Sequence, residues 1–179
     1  PLFEGLGRFN FTISTDSDDA QRYFNQGMVL AFAFNHAESV RSFQAAQKLD
    51  PQCAMCFWGE SLARGPNINV TSDGRAVMSP EDRKKAFSVY KQALYLVNPE
   101  NKKEKAYINA LSKRYNGDIT TSREPLDKQY ALAMQKLVND YPDDITAASL
   151  YAEALMNTMP WNYWTEEGSP REDTKKVIT

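Results

Sequence analysis

One histidine and two cysteines are all that 179 residues offer as imidazole or thiolate ligands, so a four-ligand zinc site would have to borrow carboxylates. Excess positive charge is missing as well: 21 Lys and Arg against 23 Asp and Glu give a net charge of -2, with no long block of one sign. Phosphate backbones require a concentrated basic surface, so nucleic-acid binding is not expected. No apolar run approaches the ~20 residues that span a bilayer; the longest, Met28 to Phe34, falls well short. Convincing alternation of apolar and polar residues is confined to a short lead-in from Phe9 to Ser14, so strands are nearly absent from the expectation. What remains is ordinary for a chain that folds: 42% hydrophobic and 25% charged residues. The length suits one domain or part of a longer solenoid.

Helix starts can be placed from side chains able to accept hydrogen bonds from unpaired first-turn amides. Ser17, followed by Asp18 and Asp19, opens a first helix, and Asn35 with Glu38 has the spacing of a capping box for a second. Residues 52–64 form a third. Further starts fall at Ser79-Pro80, Asn98-Pro99-Glu100, Ser122, Asp144 and Ser169-Pro170, about eight helices in all. Apolar stripes support the fourth (Ala86, Val89, Tyr90, Ala93, Val97) and the sixth (Leu126, Tyr130, Ala133, Met134, Leu137). The expected fold is all-α, with an extended lead-in over 1–16 and a helical array over 17–179.

Tyr23, Gly27 and Leu30 share a face of the first helix, Ser39, Phe43 and Ala46 share a face of the second, and Pro51 closes the unit. This order of aromatic, glycine, large residue, small residue, aromatic and proline resembles the tetratricopeptide repeat, with Gln26, Leu30 and Ser39 as departures from its usual residues. Gly27 would permit close helix approach, and Phe43 would fill the space that a side chain at Gly27 would take. The runs FNHAESVRSFQAAQKLDPQCAMCFWGESLARGPNIN and LYAEALMNTMPWNYW look like a group of bacterial-type tetratricopeptide proteins, often exported. The resemblance implies a right-handed α-solenoid of antiparallel helix pairs that continues past Thr179, and it implies no established reaction. Pro51, Pro99 and Pro142 recur at irregular spacing, which places extra residues in two oversized loops, 65–79 and 158–169. Asn67, Asn69, Trp161, Tyr163 and Trp164 are the binding candidates there.

In repeat arrays the concave side is lined by the first helix of each pair. Gln21, Phe24, Asn25, Met28 and Phe32, with Trp58 and Leu62 from the third helix, are therefore the candidate groove. The groove is apolar with interspersed amides and lacks the cations that clamp a terminal carboxylate, so it suits an amphipathic helix or an extended apolar segment. The competing reading is that its aromatics only pack against neighbouring helices.

Cys53 and Cys56 stand at a spacing open to a disulfide, a metal site, a redox pair or two inert thiols. Phe57 follows Cys56 where c-type haem attachment needs histidine, and His36 lies roughly 20 Å away along its helix. Glu60 and Glu153 occupy matching places in two similar segments and read first as surface or ion-pair residues. Arg83-Lys84-Lys85 and Lys102-Lys103-Glu104-Lys105 read as solvated faces. Asn10 and Asn69 begin glycosylation triplets.

The sequence thus points to a protein-protein interaction scaffold that binds another protein or peptide, with no catalytic constellation and no cofactor expected; self-association would also suit such a surface. The alternative is an exported metal-binding or thiol-redox protein using Cys53 and Cys56. An extracytoplasmic or secreted location is the weakly favoured compartment.

Overall fold

Eight α-helices and one 3₁₀ turn make up the computed structural model, which describes residues 1–69, 79–118 and 120–178 and contains no strand among them. The helices are α1 (Asp18–Phe32), α2 (His36–Leu49), α3 (Ala54–Arg64), α4 (Pro80–Leu96), α5 (Lys102–Leu111), α6 (Arg123–Asp140), α7 (Ile145–Thr158) and α8 (Glu172–Ile178), with the 3₁₀ turn at Ser112–Arg114. No described helix is long and apolar enough to cross a membrane. The chain divides into two compact units, one of Pro1–Gly65 with Glu81–Ile108 and the other of Pro66–Pro80 with Asn109–Thr179.

In the first unit, α1 and α2 lie against each other and both touch α3. The link from α1 to α2 is short because Phe34 takes the left-handed region (φ 59°) and the Asn35 amide reaches back to the Leu30 carbonyl at 2.9 Å. That backbone closure replaces the expected capping box. Asn35 makes no side-chain cap bond, and Glu38 pairs with Arg41 instead. At the centre, Phe43 is fully buried, and its ring lies against both Gly27 and Gly59. A Cβ on Gly27 would lie 2.7 Å from the Phe43 ring. The two polar departures each have a partner: Ser39 Oγ donates to the Gly27 carbonyl at 2.7 Å, and buried Gln26 donates to Ser42 Oγ at 2.9 Å.

Two other caps are as read. Ser17 accepts from the Ala20 amide and Asp144 from the Ala147 amide. The starts read at Ser79-Pro80 and Ser122 also hold, α4 beginning at Pro80 and α6 at Arg123, although Ser122 makes no side-chain cap bond. Two others move. Asn98 serves the turn before α5, accepting from the Glu100 amide, while Asn101 takes the cap by accepting from the Glu104 amide at 3.1 Å. The segment at Ser169-Pro170 belongs to an isolated bridge between Trp164 and Pro170, and α8 begins only at Glu172.

In the second unit, α7 packs against α6 and α8, and the 3₁₀ turn packs on α6. Tyr130, Met134 and Leu137 of the predicted α6 stripe are buried; Ala133 is half-buried.

Candidate functional site

The lead-in over residues 9–15 is extended but pairs with no strand among the described residues; its backbone is met by side chains. Gln21 and Asn25 stand one turn apart on α1. The Gln21 amide accepts from the Ile13 amide at 3.0 Å and donates to the Phe11 carbonyl at 2.9 Å, so it meets two alternate residues as a neighbouring strand would. Asn25 accepts from the Phe11 amide at 3.3 Å and from Gln21 Nε2 at 3.0 Å, which holds both side chains in register. Gln26 accepts from the Phe3 amide at 2.7 Å and donates to the Pro1 carbonyl at 3.2 Å. Buried Glu104 accepts from the Ser14 amide at 2.6 Å, Asn101 donates to Ser14 Oγ, and Thr15 Oγ1 donates to Asp50 at 2.6 Å.

Alternation decides which side chains enter. Phe11 and Ile13 are buried, while Asn10, Thr12 and Ser14 are exposed. The Phe11 ring lies 5.8 Å from Phe24, 5.0 Å from Tyr107 and 6.5 Å from Trp58, and Lys103 Nζ sits 5.4 Å over it. Trp58 meets Tyr107 edge-on at 5.4 Å and donates from Nε1 to the Tyr107 carbonyl, so the pocket walls are fixed by their own contacts. Phe9 rests edge-on against half-exposed Phe32 at 6.0 Å.

The structure therefore gathers Gln21, Phe24, Asn25, Phe32 and Trp58 around one extended segment. Phe24 and Trp58 are core residues as well, and Met28 and Leu62 are core residues with no ring or hydrogen-bond contact to the segment, at 0% and 8% exposure. Sequence reasoning missed Tyr107, Asn101, Glu104 and Asp50. The Asn-x-x-Glu spacing of 101 and 104 was a readable cap signal; Tyr107 carried none.

The other candidates are separate. Asn67 is buried and accepts from the Asn69 amide at 2.9 Å; Asn69 is exposed, and Val70 and Thr71 of its triplet lie outside the described residues, as does most of the 65–79 loop. Trp161 and Trp164 stay more than half exposed, whereas the Tyr163 carbonyl accepts from the Arg171 amide and Thr174 Oγ1 and ties that loop to α8. Asn10 of the first triplet shares a 3.4 Å bond with Asn25. His36 packs edge-on against Phe34 at 5.7 Å. Glu60 and Glu153 both form ion pairs: Glu60 is buried with Arg64, Gln44 and Gln47, and Glu153 pairs with Arg114.

Cys53 and Cys56 are joined, with sulfurs 2.04 Å apart, at the start of α3, and both residues are fully buried. Cys53 Sγ also accepts from the Cys56 amide and so caps the helix. The thiols are thus paired rather than free. Among the described residues, no group of three His, Cys, Asp or Glu side chains is placed to hold a metal ion. The native chain should run about 2 Da below its reduced mass and resist iodoacetamide until denatured and reduced. Replacing both cysteines by serine should cost about 2 kcal/mol, as expected for so short a closed loop; alkylation without denaturation would contradict this placement.

Compared with family models, with curated proteins and with solved structures, the chain matches none.

Proposed function

We propose that the protein is a polypeptide-binding scaffold of tetratricopeptide type, and that its working surface is the face of α1, α3 and α5 that grips an extended chain. The observation that carries this reading is the paired use of Gln21: one side-chain amide meets the backbone N–H of Ile13 and the C=O of Phe11, in the manner of strand addition. Backbone pairing supplies affinity for any extended segment, and the pocket of Phe24, Trp58 and Tyr107 supplies selection for an aromatic anchor.

The redox alternative has less behind it. Sulfurs buried within the fold are out of reach of an attacking thiolate, on which exchange depends. A structural disulfide does support an extracytoplasmic or secreted location, since such bonds persist in oxidising compartments.

Phe24, Met28 and Trp58 are unsuitable for testing the face because all three are core residues. Gln21 and Asn25, both half-buried, are suitable. A displayed library of random peptides selected on the Phe11→Ala chain, whose own segment lacks its buried ring, should yield extended binders, and adding Gln21→Ala or Asn25→Ala should weaken each by about tenfold, the effect of one lost hydrogen bond to a buried group. Binders indifferent to both substitutions would remove this surface from the proposal.

A further inference from the structure

The segment seated on this face belongs to the chain itself, and we propose that residues 9–15 are a self-ligand, displaced by a segment of another protein with the same side-chain pattern. The inference rests on the scaffold reading and adds the chemistry of the partner: an extended run of aromatic, polar, aromatic, polar, branched aliphatic and hydroxyl residues, as in Phe9 to Ser14.

Four bonds go to the backbone of the segment, beside side-chain bonds at Asn10, Ser14 and Thr15. Gln21 meets the amide of Ile13 and the carbonyl of Phe11, Asn25 the amide of Phe11, and Glu104 the amide of Ser14. An incoming chain without proline at the three donating positions can make these four bonds. Selection then falls to the inward residues, with a buried aromatic at the second inward position, a buried branched residue at the third, and a looser ring contact at the first, where Phe9 meets Phe32. The outward residues Asn10, Thr12 and Ser14 are exposed, so the pattern is loose at alternate positions.

Release is local. Each backbone bond goes to a side chain that water can serve equally well, and no sheet is broken when the segment leaves. On its N-terminal side, Gly5 and Gly7 adopt positive φ of 78° and 80° with open space around each, and residues 7 and 8 are exposed, so the flank adds little grip next to Phe9. A second copy of this chain is a poor occupant. Its own segment is already seated in the same contacts, so exchange gains none and loses the freedom of two molecules. A separate protein carries no such competing cis site. Its apparent affinity is set by the fraction of chains in which the segment is off, and anything that loosens the segment raises that affinity.

The test is a fluorescein-labelled peptide of residues 8–16, RFNFTISTD, titrated by anisotropy against the full chain and its Phe9→Ala and Phe11→Ala variants. Phe11→Ala empties the aromatic pocket and should bind the peptide at least tenfold more tightly than the parent, with Phe9→Ala between them. A peptide with alanine at the positions of Phe9 and Phe11 should bind none of the three. In the isotope-labelled parent, saturating unlabelled peptide should shift the Phe11 and Ile13 amide signals towards unfolded positions. If Phe11→Ala loses its helical circular dichroism, the comparison is carried by Phe9→Ala, whose ring contact is with half-exposed Phe32. Equal peptide affinity for all chains, or unmoved Phe11 and Ile13 amides at saturation, overturns the self-ligand. Concentration-dependent dimers with exchanged segments overturn the separate partner. Library binders sensitive to Asn25→Ala that leave the segment's amides in place would sink this inference and keep the scaffold reading.

Discussion

Gly59→Ala should lower the unfolding free energy by about 3 kcal/mol, the upper end of what overpacking costs. A Cβ at this position would lie 2.6 Å from Cδ1 and Cζ of Phe43 and closer still to Cε1. A ring end can often swing away from such an intruder, but Phe43 is fully buried and the same ring atoms already lie against Gly27, where an added Cβ would sit 2.7 Å away. The measurement is a urea titration in which the midpoint falls and the slope is unchanged. Phe43→Leu alone leaves a cavity, yet in the Gly59→Ala background it should recover part of the loss, giving a coupling of about 1–2 kcal/mol in the double-mutant cycle. A Gly59→Ala chain within about 0.5 kcal/mol of the parent would show that Phe43 is not confined against the two glycines.

Arg114→Ala should cost about 3 kcal/mol, and more at neutral pH than in acid. The guanidinium is 1% exposed; it lies 4.2 Å over the Tyr130 ring and donates to the Pro66 carbonyl at 2.9 Å and to Glu153 at 3.4 Å. Burial works against its charge, but Glu153, then Tyr130, Tyr115 and Asp127, outweigh that and raise its pKa. For Glu153 the balance tips the other way. Burial raises its pKa, and Arg114 and Asn157 only partly pull it back, so the native chain holds that proton to higher pH than the unfolded chain does. Its stabilisation is therefore present in acid and lost as pH rises through the raised value. Removing Arg114 takes away the largest opposing influence and leaves a partly buried carboxylate uncompensated at neutral pH. The Glu153 side chain keeps 27% exposure, which places the cost at the lower end for a broken buried pair. Urea titrations at about pH 4, close to the ordinary carboxylate value, and at about pH 7.5 should show the larger loss at the higher pH, and Arg114→Met with Glu153→Gln should recover part of it. Equal losses at both pH values would remove Glu153 from the explanation.

These two residues differ in how visible they were. Gly27 and Phe43 were legible because a close helix crossing requires a small residue facing a large one, and the repeat pattern fixes where each falls. Gly59 follows Gly27 by 32 positions, near the 34-residue period of that repeat, so its role could have been found by the same rule. Arg114 had no such signal. Its partners lie at Pro66 and Glu153, 48 and 39 positions away, and an arginine after a helix ordinarily reads as a solvated end.

The candidate groove was read with its surface still open. Gln21, Asn25 and Trp58 were chosen because they sit on helices that line the inner side of such arrays; that a lead-in from 90 positions before Glu104 would cover them lay beyond any local pattern. The alternation of Phe9 to Ser14 was visible, and it does sort buried from exposed residues, although the chain it faces is a row of side-chain amides rather than a strand.

By itself the sequence determined the all-helical class, the first-turn caps at Ser17 and Asp144, and most of the buried stripes of α4 (Ala86, Tyr90, Ala93) and α6, because these depend on interactions within four residues of one another along a helix. Only the tertiary structure decided that Cys53 and Cys56 are joined, that Phe43 is held by two glycines, that Arg114 is buried with Glu153, and that residues 9–15 occupy the face of α1. Apart from the disulfide, these contacts join side chains far apart in the chain, where spacing has no period and burial alone sets their strength. The disulfide spans three positions, yet four chemistries fit its spacing until the fold buries both sulfurs together.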